Sequence, residues 1–185
     1  MINKLKSELV PTPLGDFQFS VTTSGSMDGS IDNIILKSKN HSPDLPASMS
    51  VEGCRLVFAS IKLLKPIPQF KFSCRVITDS NLDIDPESGE GLDAKSWSDN
   101  NHMVMIGTED EERLLNRFQK QSISLDNGFV EYSANGLSIN IDNPPVNQCI
   151  NLHFVISWNP LPEKIDCSCW YAVDIPHEKI EEKFR

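Results

Sequence analysis

Residues 129–141 read FVEYSANGLSINI, with Asn135-Gly136 at the centre. Asn-Gly suits a type I′ turn, in which both central residues take positive φ, and such turns close tight β-hairpins. A two-residue loop at this dipeptide pairs Ala134 with Leu137, Tyr132 with Ile139 and Val130 with Ile141. Those six side chains then share one face, and Glu131, Ser133, Ser138 and Asn140 share the other. Turn chemistry and apolar pattern agree on an antiparallel hairpin with one buried face.

The same period of two recurs along the chain. Phe17, Phe19 and Val21 alternate with polar residues, and Phe70, Phe72, Cys74 and Val76 alternate with Lys71, Ser73 and Arg75. Ile150, Leu152, Phe154 and Ile156 repeat the pattern, as half-buried strands do. Ile31 to Lys37 and Asp166 to Ile175 are strand-like, Ser38 to Ser50 reads as a Pro- and Ser-containing loop, and Cys54 to Lys65 fits a strand or a helix.

Two short helices are predicted. The first spans about 108–121, with Thr108 and Glu111 placed as a capping box and Leu114, Leu115 and Phe118 as its apolar stripe. The second spans about 176–184, with Pro176 near the first turn and Ile180 four residues before Phe184. Many strands, few helices and no βαβ alternation predict an α+β fold, a single domain over 1–185 with a largely antiparallel sheet.

Composition limits the function classes. The 185 residues are 39% hydrophobic, enough for one domain with a core, and carry a formal charge of −9. An acidic chain is a poor binder of nucleic acid, whose phosphates need clustered Lys and Arg. No signal-peptide pattern follows Lys4 and Lys6, and no apolar run approaches the roughly 20 residues needed to cross a bilayer. Five scattered cysteines (Cys54, Cys74, Cys149, Cys167 and Cys169) do not form a disulfide framework, so reduced thiols and a cytoplasmic location are expected.

No catalytic motif appears. Gly25-Ser26-Met27-Asp28-Gly29 places the serine one position too early for a hydrolase elbow, and there is no phosphate-binding glycine loop. His41, His102, His153 and His177 are dispersed, with no His or Cys pair at metal-ligand spacing, so neither metal nor cofactor is expected. Asp79, Asn81, Asp83 and Glu90 fall at calcium-loop positions, but Ile84 stands where that loop needs glycine. Arg55, Lys62, Lys65, Lys71 and Arg75 form a basic stretch whose interleaved aromatics face a core, leaving the charges as a solvated surface.

The strongest irregularity is acidic. Asp79 to Glu112 holds eleven acids and one base, Lys95, so this segment carries all of the excess charge. Residues 79–102 show no clear periodicity and read as a long loop of the kind that often carries function. Partner-binding candidates are Asp83, Asp85, Glu87, Glu90, Asp93, Trp97 and Asp99, with Trp97 as an interface anchor. The expected role is a non-enzymatic binding protein that meets a basic protein partner. An immunity protein neutralising a nuclease-like toxin domain fits that description. Two alternatives are an enzyme assembled from His153, Glu131 and Asp174, with Asp142 nearby in sequence to Glu131, and a small-molecule or carbohydrate-binding β-domain using Trp97, Trp158 and Trp170.

Overall fold

The computed structural model describes residues 2–24, 31–78, 81–89, 91–123, 127–165 and 167–185. Among these the strands are β1 Ile2–Thr12, β2 Gly15–Ser24, β3 Ile31–Asn40, β4 Gly53–Leu63, β5 Gln69–Ile77, β6 Asp83–Gly89, β7 Leu92–Ser98, β8 His102–Glu109, β9 Asn127–Ser133, β10 Gly136–Asp142 and β11 Cys149–Pro160. The helices are α1 Glu111–Lys120, α2 Ser168–Val173 and α3 His177–Phe184. The strands form a five-stranded sheet, β1-β2-β5-β10-β9, and a six-stranded sheet, β3-β4-β11-β8-β7-β6. Their pairings are antiparallel, as an α+β fold with a largely antiparallel sheet requires.

The main core lies between the sheets. Phe17, Phe19 and Val21 of β2 and Phe70, Phe72 and Cys74 of β5 meet Ile150, Leu152, Phe154 and Ile156 of β11, all buried. A smaller core covers the other face of the six-stranded sheet, where Cys169 and Val173 of α2 and Ile180 of α3 pack on Leu56, Phe58, Ala94 and Val155. Strand β11 is therefore covered on both sides. Its alternation is real on the inter-sheet face, while His153 and Val155 on the opposite face are buried as well.

Four expectations change. The 129–141 hairpin forms, but its turn falls on Ala134 and Asn135, so that Ser133 pairs Gly136, Tyr132 pairs Leu137 and Val130 pairs Ile139. The partner strand is displaced by two residues, which keeps the parity of the two faces, but Tyr132 and Ala134 are exposed and Ser138 and Asn140 are buried, so both faces of β10 are covered. Neither Asn135 nor Gly136 has positive φ, so this is not a type I′ turn. Gly136 has a different reason to be glycine: a Cβ there would run into the Cys74 carbonyl oxygen of β5.

The 79–102 segment is not a loop: β6 and β7 pair as an antiparallel hairpin at one edge of the larger sheet. The acids of β6 alternate with Ile84, Pro86 and Ser88, and Asp83 to Pro86 are all exposed, so the strand carries no buried apolar row. Asp79 and Glu90 lie outside the described residues, and the extended course of Asp83–Gly89 leaves no compact calcium loop between Asn81 and Gly89.

The expected strand over Asp166 to Ile175 is instead α2, giving three helices; Asp166 itself lies outside the described residues. Cys169, Ala172 and Val173 are buried at helical spacing, whereas Cys167 and Tyr171 face solvent. The first helix starts later than expected. Its cap is Asp110, whose carboxylate accepts from the Arg113 N–H at 2.7 Å, while Thr108 donates to the His153 carbonyl at 2.8 Å.

The remaining sequence readings find simple places. Cys54–Lys65 is a strand, β4, and α3 covers the second predicted helix. The basic stretch divides between β4 (Arg55 and Lys62) and β5 (Lys71 and Arg75), which belong to different sheets, with Lys65 in the connection, and Lys62 and Lys71 pair with Asp32 and Glu131. The five cysteines are free thiols. Among the described residues no helix is long and apolar enough to cross a membrane. The Gly25–Gly29 loop lies outside the described residues.

Candidate functional site

Two regions concentrate chemistry. The first is the acidic hairpin β6–β7. Asp83 and Asp85 lie exposed on edge strand β6, opposite Ser98 and Ser96, with the exposed Ile84 between them. Among the described residues neither carboxylate takes part in an ion pair. The backbone of Glu87 continues the same strand; its side chain, like Glu90, lies outside the described residues.

Of the other described acids of the segment, Glu111 and Glu112 are exposed in the first turn of α1, where carboxylates suit the helix dipole, and the rest are used internally. Asp93 is half-buried and accepts from the Tyr132 hydroxyl at 2.5 Å; burial raises its carboxyl above the usual range, and the Tyr132 bond opposes that. Asp99 accepts from the Asn101 and His102 N–H groups at 2.7 Å, which holds its carboxyl below the usual range and closes the β7–β8 turn. Asp110 caps α1 and also accepts from the Gly91 N–H at 2.9 Å.

Lys95 is buried and donates to the Ser133 and Ala134 carbonyls, which ties the acidic hairpin to the β9–β10 turn of the other sheet. Burial lowers its ammonium pKa. Trp97 is not an interface anchor, because it is fully buried and packs edge-on against Phe17 at 5.2 Å. Trp158 and Trp170 are half-buried.

The second region was not visible as a motif. Glu109 at the end of β8, Arg117 on α1, His153 on β11 and His177 at the start of α3 meet in a buried polar cluster. Arg117 binds Glu109 through Nε, 3.0 Å from both carboxylate oxygens, and through Nη2, 2.8 Å from Oε2. The Nδ1 atoms of His153 and His177 are 2.8 Å apart, and each lies about 4 Å from Glu109 Oε2. Burial lowers both imidazole pKa values, to about 3 for His153 and about 2 for His177, and the Arg117 charge pushes the same way. Both rings are therefore neutral at ordinary pH, one donating its Nδ1–H to the other.

A cleft of about 560 Å³ opens onto this cluster. Arg113, Asn116, Arg117 and His177 line it, together with Glu109 and Glu178. Two buried nitrogens in its wall, Arg117 Nη1 and His177 Nε2, have no hydrogen-bond partner among the described residues. The alternative catalytic set does not assemble around His153. Glu131 belongs to β9 of the other sheet and pairs with Lys71, Asp174 pairs with Arg113 at 3.3 Å, and Asp142 accepts from Gln69 at 3.0 Å.

The chain matches no protein-family model, no curated protein and no solved structure.

Proposed function

We propose that this chain is a non-enzymatic binding protein that meets a basic protein partner through the acidic edge strand β6. The observation that supports this reading most is the split in the acidic segment. Asp93, Asp99, Glu109 and Asp110 serve the fold, whereas Asp83 and Asp85 stand in solvent without a counter-charge among the described residues. Net charge that has no folding role still raises the encounter rate with an oppositely charged partner.

An edge strand also offers backbone donors and acceptors to an added chain. Acids and Pro86 on that edge disfavour pairing with a second copy, because like charges would lie side by side. The partner that fits is therefore unlike this chain and basic. An inhibitor of a nuclease-like toxin, of the immunity-protein kind, is the specific form of this role: carboxylates spaced about 6.7 Å apart along a strand would occupy a cleft built for phosphates.

The test is affinity capture from the source cells with the wild-type chain and with an Asp83→Asn, Asp85→Asn variant. A basic protein recovered by the first and lost by the second supports the role. Recovery of no basic protein, or equal recovery by both, contradicts it.

A further inference from the structure

We propose that Glu109, His153 and His177 form a binding site for a divalent transition-metal ion of the zinc class. This rests on the buried cluster alone and is independent of the role assigned to β6.

The donor set is the first argument. Two neutral imidazoles and one carboxylate, from β11, α3 and β8, converge with all three side chains buried. Such a set suits first-row ions such as zinc, cobalt or nickel rather than calcium or magnesium, which prefer oxygen. The separations among His153 Nδ1, His177 Nδ1 and Glu109 Oε2 leave one point about 2.1 Å from all three atoms. That is the normal distance from zinc to an imidazole nitrogen or a carboxylate oxygen.

The surroundings are the second argument. Ligating carboxylates are held in place by outer hydrogen bonds, and Arg117 holds Glu109 by three, while its Nη2 also donates to the Asn151 carbonyl at 3.0 Å. The cleft reaches Glu109 and His177, which gives an ion a way in. The guanidinium opposes a second positive charge nearby, so binding should be exchangeable rather than permanent.

The proton inventory balances. In the metal-free state one imidazole carries its proton on Nδ1, inside the 2.8 Å contact. Coordination of both Nδ1 atoms moves that proton to Nε2 of the same ring, with no net release. At His177 the Nε2 atom is buried with no partner among the described residues, so an Nε2–H formed there has no acceptor among them.

Cobalt(II) titrated into chelator-treated wild-type protein reads the site directly. The expected result is one equivalent bound with visible ligand-field absorption, a rise in Tm with excess zinc, and a loss of affinity of at least about tenfold in His177→Ala and in His153→Ala. Nitrogen NMR of the wild-type imidazoles gives a readout that does not depend on a variant folding. Zinc should shift the His153 and His177 Nδ1 resonances and leave those of His41 and His102 in place. No cobalt absorption and no change in Tm would overturn the proposal, as would zinc shifts confined to His41 or His102.

Discussion

Arg117 holds Glu109 with three hydrogen bonds of 2.8–3.0 Å in a site where the two side chains are 6% and 4% exposed. The pair joins α1 to the end of β8, and through the Asn151 carbonyl it reaches β11. Desolvating two such charges is costly, and their contact compensates only while both are present. Arg117→Met would strand the Glu109 carboxylate. We expect it to lower stability by roughly 3–5 kcal/mol, measured by urea denaturation. Adding Glu109→Gln to that variant should recover a substantial part of the loss, because the uncompensated charge goes with it. A double variant no more stable than Arg117→Met alone would contradict this account.

The metal-free protein should weaken in mild acid. His153 and His177 are buried neutral, with pKa values far below the 6.5 of a free imidazole. Below that value the unfolded chain takes up protons that the folded chain refuses, so stability is complete above pH 6.5 and falls as pH drops toward the folded values. Each ring contributes a loss of up to about 1.4 kcal/mol per pH unit, so the two together should cost about 3 kcal/mol at pH 5.5. Denaturation curves at pH 7.5 and 5.5 in the presence of chelator check this; equal midpoints would refute it.

Gly136 should be irreplaceable for a steric reason. A Cβ would meet the Cys74 carbonyl oxygen and the backbone of Arg75, which cannot move without parting β5 from β10. Gly136→Ala should cost about 1–3 kcal/mol, the range for overpacking a tight contact. Asn135 has negative φ and sits in the turn itself, so Asn135→Ala should cost much less. A calorimetric comparison of the two variants separates this account from one based on positive φ, in which both positions would matter.

These cases also show what local patterns conveyed. Strands β2, β5 and β11 were readable because each turns one apolar row to the same inter-sheet core, which stamps a period of two on the sequence. In β6 the exposed acids Asp83 and Asp85 alternate with Ile84 and Pro86, which are exposed as well, so no buried row marks the strand and it resembled a loop. In α2 only six residues are helical, too few for Cys169, Ala172 and Val173 to establish a helical period against the accidental alternation of Cys167, Cys169 and Tyr171. The Glu109–Arg117–His153–His177 cluster draws on four elements far apart in the chain, which no spacing rule can link. One local sign existed: His153 interrupts an otherwise apolar run from Leu152 to Ile156, where a strand covered on both faces leaves a polar ring no route to solvent.

The surface acids should behave in the opposite way to the buried cluster. Asp83→Asn with Asp85→Asn removes exposed carboxylates with no folding partner among the described residues, and such changes usually stay within about 0.5 kcal/mol. An unchanged urea midpoint is expected; a large loss would mean that these acids hold the hairpin together.

The most direct test of the binding role is the rate at which the captured partner associates with this chain as ionic strength is raised. If β6 draws in a basic partner, the wild-type rate should fall steeply with salt, because exposed charges are screened over about 8–10 Å at physiological ionic strength. The Asp83→Asn, Asp85→Asn variant should start slower and lose most of that dependence. A wild-type rate indifferent to salt, or a variant with the same rate and the same slope, would contradict the role assigned to the acidic strand.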